Sequence, residues 1–109
     1  MYPTLVTDLL LTQREFKTKF MNSAIQRATR KGYLRNIAIA LGNMPDSSLI
    51  NLLSQVLSEE LEPLVRSHAA WALGKIATKS ARLILNRRLL SETHIVVQGE
   101  IKAALEMSF

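Results

Sequence analysis

Two stretches decide the fold: Tyr33-Leu34-Arg35-Asn36-Ile37-Ala38-Ile39-Ala40-Leu41-Gly42 and Val65-Arg66-Ser67-His68-Ala69-Ala70-Trp71-Ala72-Leu73-Gly74. A gapless shift of 32 residues lays the first on the second, and the same shift lays the second on the segment that starts at Val97. Ile37 falls on Ala69 and Ile101, and Ala40-Leu41 falls on Ala72-Leu73 and Ala104-Leu105. Between these anchors Leu52-Leu53 meets Ile84-Leu85, and Leu57 meets Leu89. Apolar residues recur at helical spacing throughout, with little strand-like alternation. A period in the thirties with two amphipathic helices per unit is the mark of a helical solenoid, because each unit has an apolar face that only a neighbour covers. Helices are expected over about 33–42, 47–57, 63–77, 79–90 and 94–107.

Punctuation agrees with this division. Pro45 stops the first helix, and Asp46 or Ser47 caps the second. Pro63, after Glu62, opens the third at the turn where a missing amide hydrogen is harmless. Gly42 is expected to end its helix in a left-handed conformation, whereas Gly74, with the apolar pattern running on to Ile76-Ala77, is expected to permit close helix contact. Ahead of the repeats, Thr12-Gln13-Arg14-Glu15 reads as a capping box that starts a helix to about Met21, with Phe16 and Phe20 on one face. Asn22-Ser23 should end it, followed by a short basic helix or turn over 24–31 that Gly32 punctuates. Leu9-Leu10-Leu11 is an apolar run suited to capping the first repeat or to packing on something outside this chain. Gln98, Glu100, Lys102 and Glu106 can give the last helix a polar outer face. The expectation is all-α: one domain over 1–109, with a lead-in at 1–31 and repeats at 32–109. About two and a half units would form an α-solenoid winding as a right-handed superhelix.

With 109 residues, 48% of them hydrophobic, the chain can build one core. It shows no membrane-length apolar run and no signal-peptide layout at Met1-Tyr2-Pro3-Thr4, so a cytoplasmic address is the default. With no cysteines it makes no disulfide, thiolate metal site or iron–sulfur ligation of its own. Neither His68 nor His94 has a carboxylate at metal-site spacing, and no catalytic motif occurs. The reading is therefore non-catalytic, without a metal or cofactor. Glu59, Glu60 and Glu62 read as solvated loop charge, Trp71 as core in preference to a base-stacking platform, and His94 as a cap or a solvent-facing residue. Arg87-Arg88 suit the negative end of a helix dipole. His68 is suited to a hydrogen bond with a neighbouring loop or to a ligand.

The net charge of +5 is local. Arg14, Lys17, Lys19, Arg27, Arg30, Lys31 and Arg35 face a single acid, Glu15, within one segment, and the remainder is near balance. In a helix-pair solenoid, side chains near the starts of equivalent helices share an edge. Arg35, Arg66 and Gln98 lie near equivalent positions, and Arg27, Arg30 and Lys31 would extend the same edge. Guanidinium groups and helix N-terminal amides suit phosphate oxygens, with counterion release supplying affinity. Against this stands the reading of these arginines as a solvated face, or as partners of acids such as Glu62.

Arg27-Ala28-Thr29-Arg30-Lys31-Gly32-Tyr33-Leu34-Arg35-Asn36-Ile37-Ala38-Ile39-Ala40-Leu41-Gly42-Asn43 and Glu62-Pro63-Leu64-Val65-Arg66-Ser67-His68-Ala69-Ala70-Trp71-Ala72-Leu73-Gly74 together resemble the C-terminal HEAT-like region of epoxyqueuosine reductase. That family is a cobalamin-dependent oxidoreductase with two four-iron four-sulfur clusters, and it completes queuosine synthesis in tRNA. The lead-in Leu10-Leu11-Thr12-Gln13-Arg14-Glu15-Phe16 and Ser23-Ala24-Ile25-Gln26-Arg27 also resembles it. The Arg-Asn-x-Ala-x-Ala-Leu-Gly-Asn string is the specific part, since Val-Arg before an alanine-rich helix occurs in many HEAT repeats. The resemblance implies a C-terminal piece whose partner is tRNA, not DNA, with the N-terminal reductase domain and both cofactors carried elsewhere. It implies tRNA contacts by Arg27, Arg30, Lys31, Arg35, Asn36, Arg66 and His68. Two rivals are a protein-binding HEAT scaffold and a HEAT-like DNA glycosylase. The latter lacks a positioned carboxylate beside an aromatic pocket.

Overall fold

Thr12 and Glu15 close the capping box. The Thr12 hydroxyl accepts from the Glu15 amide at 3.2 Å, and the Glu15 carboxylate accepts from the Thr12 amide at 2.9 Å. Helix α1 then runs over Gln13–Lys19. The computed structural model describes residues 8–21 and 30–107. The expected stop at Asn22-Ser23, residues 24–29 of the expected basic segment, and Arg27 lie outside the described residues. Five more helices follow: α2 Arg30–Asn43, α3 Ile50–Glu59, α4 Pro63–Ile76, α5 Lys79–Ser91 and α6 Ile95–Met107. A 3-10 turn over Ser47–Leu49 precedes α3, capped by Asp46, whose carboxylate accepts from the Ser48 amide at 2.9 Å.

Two of the expected boundaries change. Gly32 does not punctuate; it lies in the first turn of α2, where burial of Leu34, Ile37, Ala38 and Leu41 outweighs the modest helix cost of glycine. Gly42 is not a left-handed cap either. The helix passes through it to Asn43, and Pro45 limits further extension. Among the described residues no glycine has positive φ, and the left-handed residue is Ala77, at φ 59°, closing α4. Gly42 is instead a contact glycine, as Gly74 is.

Helix α4 is the centre. It packs on α2 and α6 within one layer, and on α3 and α5 in the other. Ala69, Ala70 and Ala72 are fully buried, so α4 meets its neighbours through small side chains. One core cluster runs from Leu9 to Ala104, within Cα extents of 44 × 31 × 16 Å. Leu9 enters that core while Leu10 stays exposed. Phe16, Phe20 and Tyr33 form a ring cluster with centroids 5.1–5.7 Å apart, tying α1 to α2. The Tyr33 hydroxyl donates to Asp8 at 2.7 Å, and Lys19 pairs with the same carboxylate. Burial first, then the bond to Asp8 and its charge, push the Tyr33 phenol up to about 12.

The 32-residue interval recurs in the hydrogen bonds. Glu60 accepts from the Glu62 amide, and Glu92 from the His94 amide, both at 3.0 Å. Arg66 donates to the Glu60 carbonyl, and Gln98 to the Glu92 carbonyl, both at 2.7 Å. Each loop glutamate thus caps the helix that follows, and each helix returns a side chain to the loop before it.

Candidate nucleic-acid interface

The basic residues divide into two kinds. Arg66 is 8% exposed, not on an open rim. Its Nε and Nη2 donate to the two Glu92 carboxylate oxygens at 3.1 and 3.0 Å, and Nη1 donates to the carbonyls of Glu60 and Leu61. Arg30 grips Glu60 in the same two-pronged way, at 3.0 and 2.5 Å, and its Nε donates to the Leu11 carbonyl at 2.8 Å. Both forks are filled, so neither arginine keeps a full set of donors for a phosphate. The expected ladder of Arg35, Arg66 and Gln98 is corrected accordingly: Arg66 and Gln98 are staples between helix and loop. The reading of Glu60 as solvated charge is corrected as well, its side chain being 5% exposed.

Lys31 and Asn36 are exposed and Arg35 half-buried, all on the N-terminal half of α2. The Arg35 guanidinium donates to the Asn36 side-chain oxygen at 3.2 and 3.3 Å, which holds the arginine along the helix surface. Lys31, Arg35, Ile39 and Asn43 follow one another at a spacing of four, a single stripe of α2. The stripe leads into a groove of about 370 Å3 lined by Ile39, Asn43, Ser67, His68, Trp71 and Glu100. His68 bonds the Leu64 carbonyl of its own helix at 2.9 Å, not a neighbouring loop. A carbonyl only accepts, so Nδ1 carries a proton in this bond. His94 is a cap, its Nδ1 accepting from the Val96 amide at 3.2 Å.

Glu92 is the most constrained charge among these. Burial alone raises its carboxyl, but the bonds from Arg66, the His94 amide and Arg88, with the Arg66 charge, outweigh burial and hold it at about 2. A depressed carboxyl stabilises the fold above its unfolded value near 4.5 and loses that contribution as pH falls toward 2. Unfolding free energy measured by urea at pH 7 and pH 3 should therefore fall by about 2 kcal/mol from this group. In Glu92→Gln that component of the difference should vanish.

The model of HEAT repeats matches residues 21–106. The chain belongs to the HEAT-repeat family. An uncharacterized protein of Geobacillus stearothermophilus is 34% identical over 105 residues, 96% of this HEAT-repeat chain and 49% of that protein. Bacillus subtilis epoxyqueuosine reductase is 30% identical over 96% of this chain and 27% of its own length. A crystal structure of epoxyqueuosine reductase with an epoxyqueuosine-modified tRNA-Tyr stem loop matches 97% of the chain at TM-score 0.88 and 30% identity, over 28% of that structure. The similarity is to the C-terminal part of that enzyme, so the repeats span a quarter to a half of these relatives.

Among the expected contacts, the structure brings Lys31, Arg35 and Asn36 together on α2 and places His68 in the groove that Ile39 and Asn43 of the same helix line. Asn43 and Glu100 were not expected as groove residues, while Trp71, expected in the core, does pack against it. Trp71 is half-buried, packed against Gly42 and open to the groove.

Proposed function

We propose that this HEAT-repeat domain docks tRNA, without catalysis of its own, through the exposed basic stripe of α2, in the service of queuosine modification in the cytoplasm. The observation that carries the reading is the likeness, along nearly the whole chain, to a reductase crystallised with a tRNA stem loop. Lys31 and Arg35 supply phosphate contacts, with Asn36 holding Arg35 in place. Arg30 and Arg66, each neutralised by a glutamate, keep the edge in shape. Arg27 belongs to the same basic segment by sequence. The reductase chemistry belongs to residues beyond these 109, because a chain without cysteine has no thiolates to hold an iron–sulfur cluster.

Binding of a tRNA stem loop, followed by fluorescence anisotropy across a salt series, tests this. Affinity should fall steeply with salt, and the pair Lys31→Ala with Arg35→Ala should lower the log–log slope by about two. Retained thermal stability in that pair separates lost contact from lost fold. Salt-independent binding, or no binding at low salt together with capture of a protein partner, would favour a scaffold instead.

A further inference from the structure

The groove between α2, α4 and α6 carries a feature that folding alone does not account for. Ser67 is 6% exposed, and its hydroxyl has no hydrogen-bond partner among the described residues. A buried hydroxyl with no partner is a desolvation penalty left uncompensated. Around it stand the Trp71 indole, the Asn43 amide, the His68 imidazole, and Glu100, which has no ion pair among the described residues. One aromatic wall with convergent donors and acceptors is how proteins hold unstacked bases. The groove also continues the Lys31–Arg35 stripe, with Ile39 one helical turn beyond Arg35, so a strand whose phosphate meets Arg35 passes its base over the opening.

We propose that this groove is a subsite for one unpaired nucleobase, packed on Trp71 and read by Glu100, Ser67 and Asn43. The carboxylate of Glu100 only accepts, so it selects bases that offer N–H donors, and guanine, with an imino and an amino hydrogen side by side, fills both oxygens. The inference draws its RNA from the docking reading, but its chemistry stands on the groove alone.

Trp71 is the chain's single tryptophan, so one indole N–H resonance reports the site in an NMR titration with nucleoside monophosphates. GMP should shift that resonance saturably and more tightly than UMP. Glu100→Gln should weaken GMP about tenfold, and Ser67→Ala about fivefold, these being the scales of a charged and a neutral hydrogen bond. Ser67→Ala should leave thermal stability equal or higher, because the hydroxyl has no protein partner to lose. No saturable shift with any nucleotide, or equal binding in both variants, overturns the subsite. If a tRNA stem loop still binds in that case, the docking reading survives. If GMP binds the groove while tRNA ignores Lys31 and Arg35, the docking reading fails and the subsite stands.

Discussion

Replacing Glu92 by glutamine should cost about 3–5 kcal/mol of unfolding free energy, the range for breaking a buried ion pair from one side. The carboxylate side chain is fully buried and accepts from Arg66, Arg88 and the His94 amide. Glutamine keeps the shape but neutralises one member of the pair, and its NH2 faces donors where an acceptor oxygen stood. Arg66 then stays buried with half its fork unmatched. For a domain of this size, whose total stability is on the order of 5–15 kcal/mol, that is a large share. The midpoint temperature should drop on the order of 15 °C. The pair is also coupled. Once Arg66→Met is present, Glu92→Leu should cost less than it does alone, because the buried Arg66 charge is no longer stranded, although the more exposed Arg88 and the His94 amide still lose their acceptor. Additive losses, or a cost below about 1 kcal/mol for Glu92→Gln, would show that the staple contributes little.

Among the glycines, Gly42→Ala should destabilise by about 3 kcal/mol, the upper end of overpacking costs. A Cβ there would stand 2.2 Å from Trp71 Cζ3 and within 2.9 Å of two further ring carbons. Relief requires the indole to swing or α2 to back away from α4, and either opens the central contact. Gly74→Ala meets Ala104, at 2.8 Å from its Cβ and 3.0 Å from its Cα, where backbone is the obstacle. Gly99 supplies the contrast, since a Cβ there meets nothing within 4 Å. Gly99→Ala should therefore stabilise by up to about 1 kcal/mol through helix propensity. Chemical denaturation of the three variants ranks them, and a harmless Gly42→Ala would mean the Trp71 contact is looser than the structure has it.

The repeat and its caps were legible because their causes are local. A capping box needs residues three apart, and Thr12 with Glu15 states it outright. The 32-residue interval needs only the apolar pattern. The arginine staples were not legible in the same way. Arg30 and Glu60 are 30 residues apart and Arg66 and Glu92 are 26, so an exposed cation and an internal one look alike along the chain. A signal did exist: the shift that lays Arg66 on Gln98 also lays Glu60 on Glu92, which marks the loop glutamates as structural. Gly42 was misread because a glycine near a helix end serves equally as a left-handed cap or as a contact, and only the position of Trp71 decides between them. The groove escaped for a further reason. Its residues come from three helices, and Ser67 becomes informative only when its hydroxyl is found buried without a partner.

The proposed RNA-docking surface is tested most directly by an amide NMR footprint of the isotope-labelled chain with a tRNA stem loop at low salt. Shifts should concentrate at Lys31, Arg35 and Asn36 and along the groove from Asn43 to Trp71. The Arg66 side-chain resonances, held by Glu92, should stay in place. A footprint centred on Lys79 and Arg87 of α5, or a stem loop that leaves α2 unshifted, would contradict it.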